Sequence, residues 1–513
     1  MHPILIFHAN LNYAYLTPDR YEFVIRRAYE MIIDTFHHRF PDCQYVFEAS
    51  GYTLDEIAQR TPDVLEKLRR AVAGGQCEFM GSPYAHPMLP NFPAEDGSWS
   101  IRFSNRAYQR HLEMTPASFW NPECGWNGQV PKQVLENGYT NLIGDFEAYS
   151  RSVDANGQPL RPEIYEKEHS DEPGFYNFGF RYDLPGTEPA IHFPFQHIRG
   201  VQGTPLRIFL RTDRIAQFGV RYFMGMQGYT LEKYQELIAR YSQQPAGETE
   251  GALIIYADDA EYIGTNGWFR LKYENQPDRV FEATPDSQQK LIDLVESCRS
   301  LGSLITFSDA CHSLPALPEE LGFDDDSAWH GARASTWAQT PMARLLRPWQ
   351  DLVREKLQAQ QKKMEPESAD RAWYHLTNSY NSDGQWPPTL PDAPHIIHPF
   401  NYRYCFENLL KAELLVGGID RSRLSTDPWQ TCQEILFPQA ERISTKAKEL
   451  AASGDPRLHA AATDAQARLQ TVRNPGRLNQ SGEHVLYPAE YQIRADDLQI
   501  ARQLVGGIEI EKL

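Results

Sequence analysis

The stretch IIYADDAEYIG, Ile254 to Gly264, decides how this chain is read: an apolar run from Leu253 to Tyr256 ends abruptly in Asp258, Asp259 and Glu261. A short, wholly apolar run is the pattern of a strand buried on both faces, and such strands belong to parallel sheets covered by helices. Working outward, comparable runs recur at Ile4 to Phe7, Tyr45 to Phe47, Cys77 to Met80, Ser118 to Trp120, Asn141 to Ile143, Leu206 to Leu210 and Ser303 to Phe307, with longer amphipathic stretches between them. That alternation predicts β-α units around a parallel sheet, an α/β fold. Between the second and third runs, Thr53 and Glu56 have capping-box spacing, and Thr61-Pro62 is a cap followed by a first-turn proline. They predict a helix whose apolar face is Leu54, Ile57, Val64, Leu65, Leu68 and Val72.

Residues 146–204 break the rhythm with Pro, Gly and mixed charge, and a long irregular insertion in an α/β scaffold usually covers a functional face. Its expected place is over the mouth of a barrel. From about residue 316 the strand signal fades, and 340–362, 402–416, 429–453 and 456–472 carry helical periodicity. The chain therefore divides into a barrel-type part, 1–315, and a helical C-terminal domain, 316–513.

At 513 residues, with 41% hydrophobic and 12% aromatic side chains, the chain can bury a large core. Its 50 Lys+Arg against 68 Asp+Glu give a formal charge of −18, which opposes nucleic acid or an anionic membrane as partner, because both are held by clustered cations. The 7 cysteines are scattered with no C-x-x-C pair, which argues against a disulfide framework and a structural zinc site. The opening MHPILIFHANLNYAY lacks a basic n-region and a long apolar h-region, and no stretch approaches the ~18 apolar residues of a membrane span. A cytoplasmic location is expected. His192, His197 and His312 form no metal-binding spacing, so neither metal nor other cofactor is expected.

In parallel α/β folds reactive groups gather at the C-terminal ends of strands. Glu123 follows Ser118-Phe119-Trp120 in FWNPECGWNG, Asp258, Asp259 and Glu261 end the Leu253 run, Glu48 ends the second run, and Glu78 lies within the third. Converging carboxylates suit either a hard cation or the cleavage of a glycosidic bond, and buried acids can also simply pair with arginine. Tyr84, Trp120, Trp126, Tyr256, Tyr262 and Trp268 flank these acids, and their flat apolar faces with polar edges favour a sugar ring over a hydrated cation.

Ordered motifs sharpen this. Gly75-Gln76-Cys77-Glu78, with Pro83-Tyr84, His86-Pro87 and Leu89-Pro90 after it, then Trp120-Asn121-Pro122-Glu123, then Asp259-Ala260-Glu261-Tyr262-Ile263-Gly264, and more loosely Trp373-Tyr374-His375-Leu376 through Ser382-Asp383, resemble the signature regions of glycoside hydrolase family 57. The resemblance covers the first 310 or so residues. It implies an incomplete (β/α)7 barrel with a C-terminal all-helical domain, and a retaining enzyme acting on an α-glucan or maltooligosaccharide by hydrolysis or glucan transfer. It further implies Glu123 as nucleophile and Asp259 as acid/base; the resemblance and the residues flanking the acids together give His8, Asn10, Glu78, Tyr84, His86, Trp120, Trp126, Asp258, Glu261, Trp268, Trp373 and Asp383 as substrate-contact candidates. One departure stands out: where the family has His-Gln-Pro, this chain has Asn10-Leu11-Asn12, with His8 two residues earlier. A non-catalytic carbohydrate-binding relative and a metal-dependent enzyme on a similar barrel are the competing readings. Asn121 and the backbone amides of its turn are the expected donors to Glu123, and extended backbone at 259–261 is expected to put Asp259 and Glu261 on one face.

Overall fold

Alternation along β1 (His2–Ala9) sets the architecture. Ile4 and Ile6 are buried in one apolar cluster, with Val46, Met80, Trp120, Ile143, Phe209 and Ile254. Leu5 and Phe7 are buried in a second, against the surrounding helices. Side chains two apart share a face of a strand, so both faces of this sheet are covered, as the continuous apolar runs require. The computed structural model describes residues 1–14, 16, 18–164, 188–243, 250–269, 280–386 and 399–424.

The other strands are β2 (Tyr45–Ala49), β3 (Cys77–Gly81), β4 (Ser118–Phe119), β5 (Asn141–Asp145), β6 (Phe195–Ile198), β7 (Arg207–Arg211), β8 (Ala252–Asp259) and β9 (Leu317–Leu321). They form one sheet in the order β8-β1-β2-β3-β4-β5-β7-β6-β9. From β8 to β7 every pairing is parallel, and this part curls into the incomplete (β/α)7 barrel expected. Beyond β7 the sheet continues through β6, antiparallel to β7, and β9, parallel to β6.

Three local expectations are corrected. Ser303 to Phe307 is not a strand: the Thr306 side chain caps the helix Phe307–Ser313 in a capping box with Asp309, which pulls the end of that run into helix. The predicted helix after β2 is two helices, Gly51–Arg60 and Pro62–Ala73, and the first is capped by Ser50, not Thr53. β6 and β9 are strands without a signal in the apolar pattern; β9 is a largely exposed edge strand of mixed sequence, LPEEL, lacking the apolar body of the others. After β9 the described chain builds helices, among them Pro341–Gln360, Pro366–Asn378 and Pro399–Leu415; the segments expected at 429–453 and 456–472 lie outside the described residues. Among the described residues no helix is long and apolar enough to cross a membrane.

Two contacts hold the strand ends and the C-terminal helices in place. The helix Pro366–Asn378 docks on the barrel helix Ala94–Leu112: Trp373 stacks on Trp99 with ring centroids 5.6 Å apart, and Tyr380 and Arg354 both bond Asp96, at 2.8 and 2.7 Å. Across the seam between β7 and β8, the wholly buried Arg211 donates to the Ala257 carbonyl at 2.9 Å and to Asp145 and Asp213 at 2.9 and 2.6 Å, and reaches Asp258 at 3.4 Å. Removing one member of a buried ion cluster leaves the others uncompensated. Arg211→Met should therefore lower the free energy of unfolding by about 3–5 kcal/mol, read from urea denaturation; an unchanged midpoint would show that the seam does not depend on this charge.

Candidate functional site

Register builds the centre of the site. His8 is paired with Glu48 of β2 and with Asp259 of β8, so three polar side chains stand in one row at the C-terminal ends of adjacent strands. They continue the inward face of Ile6, Val46 and Ala257, two residues earlier on each strand. His8 Nδ1 shares a short hydrogen bond with Glu48 Oε2, and its Nε2 lies 3.8 Å from Asp259 Oδ1. The ring stacks on Trp120 at 4.9 Å and tilts against His86 at 5.0 Å.

Glu123 arrives from the turn after β4. It and Cys124 both have left-handed backbone, φ 57° and 47°, and Asn121 Nδ2 closes the turn by donating to the Gly125 carbonyl. His86 and His330, nearby, are also left-handed, with φ 55° and 56°. Each such non-glycine residue costs of order 1–3 kcal/mol, and strain of this kind collects at functional sites. Asn121 is thus occupied by the turn, and the donor to Glu123 is Ser382, whose hydroxyl bonds Oε1 at 2.8 Å. His86 Nδ1 lies 3.7 Å from the same oxygen and 3.3 Å from the Ser382 hydroxyl. Among the described residues Oε2 has no hydrogen-bond partner at bonding distance.

Ser382 and Asp383 come from the loop after helix Pro366–Asn378. The loop is tied to the one after β3: Ser382 N bonds the His86 carbonyl at 3.0 Å, and Pro87 bridges Asn381. Asn10 then links this loop to β8, donating through Nδ2 to Asp383 Oδ2 and through its backbone N to Glu261 Oε1, both at 2.8 Å. Glu261 does not continue the strand. It opens the short helix Glu261–Gly264, and its carboxyl turns back to Asn10 and accepts a short hydrogen bond from Tyr29. Glycine is required at position 264, the last of that helix, because a Cβ there would lie 2.2 Å from the Arg27 carbonyl.

Burial dominates the electrostatics. It pushes Glu123 up to about 8, with the Asp383 charge adding to the rise and the Ser382 bond, His8 and the Trp329 indole opposing it. Burial and then Asp258 and Glu261 raise Asp259 well above the carboxylate range, while His8 and Tyr262 oppose. Glu261 and Asp383 are each driven to about 7 by burial. For His8 burial works against the charge, yet the Glu48 carboxylate, with Asp259 and Glu261 behind it, raises it to about 10. Burial and the His8 charge hold His86 well below its usual value.

Of the residues singled out in the sequence, His8, Asn10, His86, Trp120, Glu123, Asp259, Glu261 and Asp383 converge. Others are engaged differently. Asp258 faces the seam, accepting from Gln217 at 2.7 Å as well as from Arg211. Glu78 sits at the start of β3, near the opposite end of the strands, bonded to Ser118 and Ser308. Tyr84 donates to Asp55 at 2.7 Å, Trp126 packs on Phe323, Trp268 donates to Tyr262 at 2.7 Å, and Trp373 sits in the helix interface. Glu48 and Ser382 join the site without having been singled out as contact candidates; Glu48 was visible as a strand-ending acid, whereas Ser382 stood only at the end of the loosest signature match, with no role attached, 259 positions from its partner.

Asp145, Glu147 and Asp213 form a separate acidic cluster with oxygens within 4.8 Å of one another, a donor set suited to a hard cation. Two guanidinium groups already lie on it, Arg211 at 2.6 Å from Asp213 and Arg214 at 3.4 Å from Glu147, and Asp213 also accepts the His330 amide at 2.7 Å. Protein cations thus already offset part of its charge.

Residues 4–284, more than half of the chain, match the model of glycosyl hydrolase family 57. The α-amylase 1 of Dictyoglomus thermophilum is 27% identical over 174 residues, 33% of this chain and 25% of that protein. The 4-α-glucanotransferase of Thermococcus litoralis is 26% identical over 125 residues, 24% of this chain and 19% of that protein. The matches thus span a quarter or less of these relatives' length. The crystal structure of the T. litoralis 4-α-glucanotransferase superposes with TM-score 0.56 at 15% identity, over 80% of this chain and 58% of that one. A family 57 branching enzyme from Thermococcus kodakaraensis superposes with TM-score 0.58 at 14% identity, over 84% and 94%. At such identities these structures establish a shared fold.

A carboxyl raised by burial favours the protonated folded state. Its stabilising effect is fully present below the unfolded pKa and is lost as the pH rises through the folded value. For Glu123 that loss is complete above about 8. Glu123→Gln should therefore be more stable than the parent protein in alkaline buffer, with the difference vanishing near pH 4, as read from urea midpoints; an equal or lower stability at high pH would contradict the burial of this charge.

Proposed function

The chain belongs to glycosyl hydrolase family 57, and on that footing we propose that it is a retaining α-glucan-active glycoside hydrolase or glucanotransferase with Glu123 as nucleophile and Asp259 as acid/base. The observation that supports this most directly is the shared imidazole pair: His8 lies 3.8 Å from Asp259, its ring touches His86, and His86 lies 3.7 Å from Glu123. Two adjoining rings thus link the two acids, and the reading requires their carboxyl groups to stand about 5–5.5 Å apart, the separation of a retaining pair.

The roles follow from the partners. Ser382 fixes Oε1 of Glu123, which leaves Oε2 to attack the anomeric carbon. As the Oε2–carbon bond forms, the bond to the leaving oxygen breaks, and Asp259, kept protonated by burial and its acidic neighbours, gives that oxygen its proton. In the second step Asp259 removes a proton from water or an acceptor sugar hydroxyl, whose oxygen displaces Glu123. Trp120, stacked behind His8, gives this row an apolar backing. We further propose an α-glucan or maltooligosaccharide as substrate, on the likeness to the amylase and glucanotransferase relatives. Of Asn10-Leu11-Asn12, the departure that would favour a non-catalytic relative, Asn10 is used here to join Asp383 and Glu261.

Glu123→Gln should lose turnover on maltooligosaccharides by about 10^4-fold or more while still binding them, because losing a nucleophile removes an essential covalent step; full activity would eliminate its role. Asp259→Asn should retain cleavage only of α-glucosides with good leaving groups, which need no proton, and equal loss on all substrates would assign Asp259 to structure. In the parent protein kcat/KM should climb with pH toward about 8 as Glu123 ionises, and fall once Asp259 loses its proton.

A further inference from the structure

Glu48 is fully buried, and among the described residues its one hydrogen bond is accepted by Oε2 from His8 Nδ1; Oε1 has no partner. A carboxylate removed from water with half of its hydrogen-bonding capacity unmet destabilises the fold. Its position explains what it supports. His8 is faced by Glu48 from β2, Asp259 and Glu261 from the end of β8, His86 from the loop after β3, Glu123 from the turn after β4, and Asp383 from the loop after helix Pro366–Asn378. Its charge favours ionisation of Glu123, Asp259, Glu261 and Asp383 alike. His86 stays neutral, so one ring of this tilted pair carries the charge.

We propose that Glu48 is a positioning residue for the reaction: by accepting from Nδ1 it holds the His8 imidazolium beside Asp259, with the His86 ring between it and Glu123, as a fixed counter-charge that serves both halves of the catalytic cycle. This rests on the assignment of Glu123 and Asp259 as the reacting pair. Before attack the negative charge is on Glu123 and the proton on Asp259. In the glycosyl-enzyme the Glu123 ester is neutral and the charge has moved to Asp259. The charge moves from Glu123, one ring away from His8, to Asp259 beside it while the imidazolium stays where it is, so this counter-charge is in place before the step. The stack on Trp120 fixes the ring plane, and Glu48 fixes both its proton and its rotation about that stack.

The test is Glu48→Gln, which keeps the side-chain shape and removes the charge. With burial then unopposed by its main partner, His8 should lose its proton near neutral pH, and the acid limb of kcat/KM should move up by about one pH unit, an about tenfold loss at pH 7. KM for maltooligosaccharides should change little. Glu48→Asp, which keeps the charge, should return the limb toward the parent position. An unmoved limb in Glu48→Gln, or no difference between Gln and Asp, overturns the proposal. Should Glu48→Gln not fold, 15N NMR of the histidines in the unaltered protein decides: His8 still protonated at pH 8 supports the proposal, and titration near the ordinary 6.5 overturns it. Glu123→Gln separates the two levels, since an active Glu123→Gln removes the assignment of the pair, whereas an inactive one beside an unmoved Glu48→Gln limb removes the role of Glu48 alone.

Discussion

Five buried carboxyls, Glu48, Glu123, Asp259, Glu261 and Asp383, surround a single imidazolium, His8, at the C-terminal ends of the barrel strands. Buried acids without sufficient counter-charge take up protons, and here burial is the largest cause of the shift in each of Glu123, Asp259, Glu261 and Asp383. The outcome is a site in which a proton is held at Asp259 while a negative charge can still be drawn out at Glu123. That difference in protonation is set by surroundings rather than by residue type, since both are ordinary carboxyls in a free chain.

The rest of the molecule keeps these groups in register. Parallel pairing brings Asp259, His8 and Glu48 level without any side chain having to reach. Arg211 closes the seam between β7 and β8 and gives Asp258 a partner away from the site, so that adjacent acids on one strand serve different ends. The Trp373–Trp99 stack and the Asp96 bonds dock the helix whose C-terminal loop delivers Ser382 and Asp383. Asn10 then ties that loop to the end of β8.

Much of this was legible in the sequence where local signals act alone. Seven apolar runs became strands, and the acids that end them fell at the expected end of the sheet, because hydrophobic burial dictates both. Ser303 to Phe307 misled because an apolar run does not report the capping box at Thr306. Charged β9 and the short β6 carried no apolar body to read. In the site, Glu123 and Asp259 were visible as strand-end acids. The bond from Ser382 to Glu123 and the pairing of Glu48 with His8 were not, since each depends on a tertiary approach that leaves no periodicity behind. The geometry around Asn10 shows the same limit from the other side: the motif read as incomplete, yet the substituted residue is bonded to two carboxyls.

The most direct measurement is to react the protein with a fluorinated α-glucosyl fluoride, which forms a glycosyl ester faster than the ester is cleared, and to locate the added mass by peptide mapping. If Glu123 is the nucleophile, one glucosyl unit is found on it, within the peptide that contains Trp120 to Trp126. A label on any other carboxyl, or steady turnover of the reagent with no covalent adduct at all, would contradict that role.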